Sequence, residues 1–279
     1  MIGGVMEELK FSVLISVYKR ENAEYFKKAM DSVINQTLKP EQIVLVRDGD
    51  VPELLQQTID EYLEKFPELF TYVPLEQNGG LGSALNLGLT YCRNELVARM
   101  DTDDICVPDR FEKQVAFFKE NPEIDIVGGN IAEFNKTVDE IIDYRVVPKT
   151  QDEISKRIKT RSPFNHQTVM FKKTAVLNAG NYQPFHFVED WYLWIRMYLS
   201  NCKFGNLDEN LCFVRVTDMS DRRGGYKYYK SLKNILKFMR EKKMISYFSY
   251  TKSKMIRFGQ TVLLPNKLRV LAYKIFLRK

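Results

Sequence analysis

The chain has 279 residues, of which 44% are hydrophobic and 28% charged, proportions that exclude a disordered, collagen-like or low-complexity protein. Its net charge of +6 is unevenly spread: residues 222–279 carry 17 Lys or Arg against one acid, Glu241, and residues 1–221 carry a net −10. That split sets an acidic working domain over residues 1–220 beside a basic extension over 221–279 that seeks a polyanion.

Residues 11–17 (FSVLISV) form a nearly continuous apolar run, as in a strand buried on both faces. Asn22 suits the cap of a helix whose apolar positions Phe26, Met30, Val33 and Ile34 recur at helical spacing. Strand signals follow at 42–46, 70–74, 95–100 and 124–127, with helix signals at 52–65, 79–91 and 108–120, where Pro108 fits a first turn. Short strands are expected over 131–147, a helix at 151–160, a strand at 166–172, a helix at 191–199 and a strand at 211–216. Residues 226–243 and 265–279 read as basic amphipathic helices. Strands alternating with helices of this length imply an α/β fold with a mostly parallel sheet, whose ligands bind at the carboxyl ends of the strands. Three such ends, at residues 16–19, 47–50 and 101–104, carry polar residues that should converge on one crevice.

Asp101, Asp103 and Asp104 follow an apolar strand, and carboxylates two residues apart in extended chain project to one side. Such hard oxygen ligands suit a divalent ion, although acidic turns and helix caps share the pattern. An EF-hand is excluded because Cys106 stands where its loop needs glycine. Residues 78–83 (NGGLGS) resemble a phosphate loop but lack the spacing of a P-loop or a dinucleotide fingerprint, so a close-packing turn explains them as well. Glu189 and Asp190 open a helix, where one can serve as a general base or both can complement the helix dipole. His166 sits at a loop edge, placed either to touch substrate or to make a structural hydrogen bond. The cysteines Cys92, Cys106, Cys202 and Cys212 form neither a zinc pattern nor a disulfide framework and fit a reducing compartment. Neither a secretion signal nor an 18-residue apolar run is expected from the sequence, which points to the cytoplasm.

Taken together, SVLISVYKR, SVINQTLKP, IVLVRDGD, NGGLGSALNLGL, ARMDTDDICVPDRFEKQ, NHQTVMFKK and FVEDWYLWIRM resemble the inverting glycosyltransferases of family 2, over roughly residues 11–216. The nearest likeness is to bacterial enzymes of lipopolysaccharide, capsule or exopolysaccharide synthesis. The resemblance implies a GT-A fold, a UDP-sugar donor and a manganese or magnesium ion. It implies that Ser16 and Tyr18 line the nucleotide pocket, that Asp48 binds the uracil edge, and that Asp101 and Asp103 lie at the ribose or diphosphate. It further gives Asp103 and Asp104 as metal ligands, Arg99 at the diphosphate, Asp190 as catalytic base, and Glu189 and His166 as further substrate contacts. Arg47, Asp50 and Lys19 depart from the residues common at their positions. The Q-x-x-R-W motif of processive members is absent after Asp190, so one sugar per acceptor is expected.

The acceptor implied is a saccharide, free or lipid-linked. In the extension, Lys and Arg interleave with Tyr, Phe, Leu and Ile, and each cation near an anionic bilayer contributes about 1 kcal/mol. A peripheral site at the inner face of the cell membrane is therefore expected, unless these helices pack on the domain. The alternatives are a nucleotidyltransferase of similar topology, for which Lys19 and Arg20 are a faint phosphate loop, and a nucleic-acid-binding protein using the basic extension. The negative main domain and the lack of a nucleic-acid module weigh against the second, and no nucleic acid is expected as partner.

Overall fold

The run FSVLISV forms β1 (Phe11–Val17) at the middle of a sheet, with alternate side chains divided between two cores. A computed structural model describes residues 9–216 and 224–264. Within them α1 (Ala23–Ile34) is capped by Asn22, whose side chain accepts from the Glu24 and Tyr25 N–H groups. Then follow β2 (Gln42–Asp48), α2 (Glu53–Lys65), β3 (Phe70–Leu75), α3 (Leu81–Tyr91) and β4 (Leu96–Met100). The chain continues through β5 (Ile105–Cys106), α4 (Arg110–Glu120), β6 (Ile126–Phe134), β7 (Ile141–Arg145) and α5 (Gln151–Arg157). Next come β8 (Met170–Lys172), α6 (Lys173–Asn178), α7 (Glu189–Leu199), β9 (Phe204–Arg215), α8 (Gly225–Glu241) and α9 (Tyr247–Phe258).

The nine strands form one sheet in the order β3-β2-β1-β4-β8-β6-β9-β5, with β7 paired to β6. The half built from β3, β2, β1 and β4 is parallel, and β8 joins it to the rest by antiparallel pairing on both sides. β9 runs parallel to β6 with two register irregularities and carries β5 antiparallel at its far edge. The long partner explains why strand structure begins at Phe204, before the 211–216 stretch expected from alternation.

The sheet separates its cores cleanly. Val13, Ile15, Ile43 and Leu45 pack with Phe26 and Met30 of α1, Ile59 of α2 and Phe111 of α4. Leu14, Val44 and Val46 pack on the other face with Leu85 of α3, Trp194 of α7 and Ile235 of α8. Each such fully buried side chain contributes about 1.5–3 kcal/mol. Leu232, Ile235, Leu236 and Met239 of α8 belong to this core, so the helix expected at 226–243 is an integral layer. α9, which the sequence pattern did not indicate, buries none of its own residues. The helix expected at 265–279 lies outside the described residues.

The stretch expected as a strand over 166–172 divides in two. His166–Thr168 makes a single 3₁₀ turn, because the Thr168 N–H and hydroxyl both bond the Asn165 carbonyl, and only Met170–Lys172 extends.

Candidate active site

Asp48, at the carboxyl end of β2, is 2% exposed. Its carboxylate accepts from the Gly79 N–H at 2.7 Å, the Gly80 N–H at 2.9 Å and Asn78 Nδ2 at 3.0 Å. Asn78 Nδ2 also donates to the Asp48 carbonyl at 2.9 Å. The glycine-rich loop is therefore held against the strand end by one aspartate. Gly49 sits at φ +81° beneath it, and a Cβ there would lie 2.7 Å from the Asn78 nitrogen, so only glycine fits. Ser16 and Tyr18, half-buried at the end of the neighbouring β1, flank this loop's side of the sheet.

β4 delivers the acidic cluster. Asp101 and Asp103 are half-buried, whereas Asp104 is 2% exposed and accepts the Arg215 N–H of β9 at 3.0 Å. Burial first, then the Asp103 and Asp101 carboxylates, push the Asp104 carboxyl well above the usual range. Through that bond Asp104 ties β9 to the strand end. Among the described residues no three His, Cys, Asp or Glu side chains gather around one metal position. Magnesium or manganese takes one or two protein carboxylates and completes its shell with substrate phosphates and water. Asp101 and Asp103 are the more exposed carboxylates of the cluster.

Arg99 lies on β4 two residues before Asp101, and its side chain is fully buried. It donates to the Met100 carbonyl and pairs with the Asp101 carboxylate. This pairing orients Asp101. Beneath it the equally buried Arg110 donates to the Arg99 carbonyl at 2.7 Å and lies 3.3 Å from both Cys106 Sγ and Cys212 Sγ. Sequence reading passed over Arg110 because an Arg in a helix first turn gives no sign of pointing inward.

On the other side stands the start of α7. Asp190 is half-buried and accepts from Ser162 Oγ at 3.0 Å, while the same hydroxyl lies 3.2 Å from the Phe164 carbonyl. Glu189 is 9% exposed, and burial, followed by the adjacent Asp190 charge, pushes its carboxyl up to about 7. The two neighbours diverge, as consecutive helical residues must, so Asp190 is the more accessible carboxylate. His166 Nε2 lies 3.0 Å from Tyr182 Oη, and burial and then Arg99 hold the imidazole well below its usual range, hence neutral. His166 is therefore a hydrogen-bond partner of Tyr182.

Tyr182 is the residue that joins both halves. Its hydroxyl feels Arg99, Asp190, Glu189 and Asp101, in that order, and Glu189 likewise feels Arg99 and Asp101. Arg99 and Asp101 at the end of β4 thus lie near enough to Glu189 and Tyr182 to act on them electrostatically, although Asp101 stands 89 positions before Asp190 in the chain. Tyr182 and Ser162 were not legible from sequence, since neither belongs to a motif.

A family model described as glycosyl transferase family 2 matches residues 12–180. The amylovoran biosynthesis glycosyltransferase AmsE of Erwinia amylovora is 37% identical over 95% of this chain and 98% of its own. The UDP-Gal:alpha-D-GlcNAc-diphosphoundecaprenol beta-1,3-galactosyltransferase of Escherichia coli is 34% identical over 78% of this chain and 79% of its own. Among solved structures, GalNAc-T7 with UDP, GalNAc and Mn2+ superposes with a TM-score of 0.71 at 18% identity, covering 96% of this chain and 55% of that one. That likeness establishes the GT-A fold and nothing finer. With its ordered strand-end motifs, a family model that spans most of the sheet and relatives matched over most of their length, the chain belongs to glycosyltransferase family 2.

Proposed function

We propose that this glycosyltransferase moves one sugar from a UDP-sugar to a hydroxyl of a lipid-linked saccharide, with inversion, in the synthesis of a bacterial surface polysaccharide. The observation that carries the reading is that Arg99 and Asp101 at the end of β4 and Asp190 at the start of α7 all act electrostatically on the Glu189 carboxyl and the Tyr182 hydroxyl. The printed names of the relatives, one for amylovoran and one for a galactose transfer to a diphosphoundecaprenol-linked sugar, support the donor and acceptor classes. Family membership leaves no observation favouring a nucleotidyltransferase or a nucleic-acid-binding protein.

Each residue has a task. Ser16 and Tyr18 border the nucleotide at the end of β1. An ionised carboxylate accepts at about four positions, and Asp48 uses three on its loop, so one stays available to a uracil N–H. Asp103 and Asp104, with Asp101 the third member of the acidic set, would hold the divalent ion, and Arg99 keeps Asp101 in place. When bound, manganese or magnesium offsets the charge that builds on the leaving diphosphate. Asp190, oriented by Ser162, accepts the proton of the acceptor hydroxyl, whose oxygen attacks the anomeric carbon from the face opposite the diphosphate. One displacement inverts the configuration and calls for no enzyme nucleophile. Glu189, neutral below about pH 7, keeps a second negative charge away from Asp190.

The test is UDP release from a panel of UDP-sugars in the presence of bacterial lipid extract. Asp190→Asn should lower turnover by at least about a hundredfold, the scale of general base catalysis, with UDP affinity unchanged. Full turnover by Asp190→Asn would overturn its role as base.

A further inference from the structure

α8 and α9 are both basic but face different surroundings. Between residues 224 and 264 stand ten Lys or Arg and one acid, Glu241, which pairs with Lys237. α8 turns its apolar side into the core. α9 turns one side of its apolar residues outward: Phe248 is 76% exposed, Met255 66% and Ile256 47%. With exposed Lys252 these fall at i, i+4, i+7 and i+8, so they form one outward stripe. Tyr247, Leu263 and the cations Arg240, Lys242 and Lys243 border it, also exposed. The opposite side holds α9 to the body. Arg257 donates to the Thr160 carbonyl and lies 5.8 Å from the Trp191 ring centre, while Phe258 meets Tyr229 edge-on at 5.2 Å.

We propose that the outward stripe of α9, with the basic α8–α9 junction, docks on an anionic lipid bilayer and so brings a lipid-carried acceptor to the Asp190 side of the crevice. The part that names the acceptor rests on the proposed function; the docking itself does not. The occupant follows from two observations together. An apolar stripe ringed by cations and almost free of acids matches the interface of a negatively charged bilayer, where rings and thioether enter the acyl boundary and ammonium groups meet phosphates. A protein partner of equal chemistry would have to be strongly acidic around an apolar centre. The position is equally telling. Thr160, which Arg257 grips, lies two residues before Ser162, the hydroxyl that orients Asp190. Trp191, beneath the same guanidinium, follows Asp190 directly and donates to the Ile158 carbonyl at 2.8 Å. The docking helix is therefore fastened to the segment that holds the reacting carboxylate. No described helix is long and apolar enough to cross a membrane, so attachment by this face is interfacial.

Co-sedimentation of the full chain with phosphatidylcholine vesicles, with and without phosphatidylglycerol, tests the proposal. Wild type should bind only the anionic vesicles and release as salt rises. Phe248→Glu/Met255→Glu should weaken binding at least tenfold, with thermal unfolding unchanged because both side chains are exposed. Lys252→Glu should weaken it less. Equal binding by wild type and the double variant would overturn the proposal, as would no binding by wild type. A concentration-dependent dimer in light scattering that the double variant abolishes would assign the stripe to a second copy instead. UDP affinity, measured on the same samples, should be equal in both proteins. Its absence from wild type would strike the proposed function and leave the docking result intact.

Discussion

Asp48 shows how much a single side chain organises. Three donors converge on one buried carboxylate, and hydrogen bonds to charged groups contribute about 1.5–3 kcal/mol each without adding fully. Asp48→Ala should therefore cost about 2–4 kcal/mol in urea unfolding and lower UDP affinity at least tenfold, because the loop over residues 78–80 loses its tether. Glu189 makes a prediction of a different kind. Its carboxyl titrates near 7 in the fold against an ordinary 4.5, so the folded state prefers the neutral form. The resulting penalty is absent below about pH 4.5, develops between there and about 7, and is complete above. Glu189→Gln should consequently be more stable than wild type at about pH 8, by up to about 3 kcal/mol, and equal to it at about pH 4. Melting curves at the two pH values, in metal-free buffer, check this; a difference that is the same at both would contradict it.

At the scale of elements, the apposition of α3 to the sheet depends on Gly88. A Cβ there would meet Leu14 Cδ1 at 2.5 Å and Val46 Cγ2 at 2.6 Å. Gly88→Ala should cost about 1–3 kcal/mol, as overpacking does, and unfolding in denaturant measures it. Apolar runs and helical spacing made most elements legible up to residue 127, because each buries a regular face. β5, two residues long, escaped because its pairing with β9 comes from tertiary contact and no local pattern. α6 escaped because six residues hold too few turns to show a period. α9 escaped for the reason that gives it interest: its apolar stripe faces out, so no helix of a core was suggested. The site was legible in its acids, which stand at strand and helix ends, and not in Ser162 or Tyr182, whose partners are distant in sequence.

Residues 1–221 and 222–279 carry opposite net charge, and α8 of the positive part packs into the core. Ile235 and Leu236 of α8 share a core with Trp194 of α7, directly below the Glu189–Asp190 turn. Ile235→Ala should cost about 2–5 kcal/mol and shift one cooperative transition, whereas a separate unit would unfold in a transition of its own. α8 thus packs against the same core as α7, which carries Glu189 and Asp190. That arrangement suits an enzyme whose acceptor is presented at a charged surface. The central claim, a nucleotide site completed by a divalent ion at the end of β4, has a direct measurement. Isothermal titration of UDP into the protein, with and without manganese, should show binding that strengthens with the metal and falls at least tenfold in Asp103→Asn. A folded protein that binds no UDP under either condition would contradict the account.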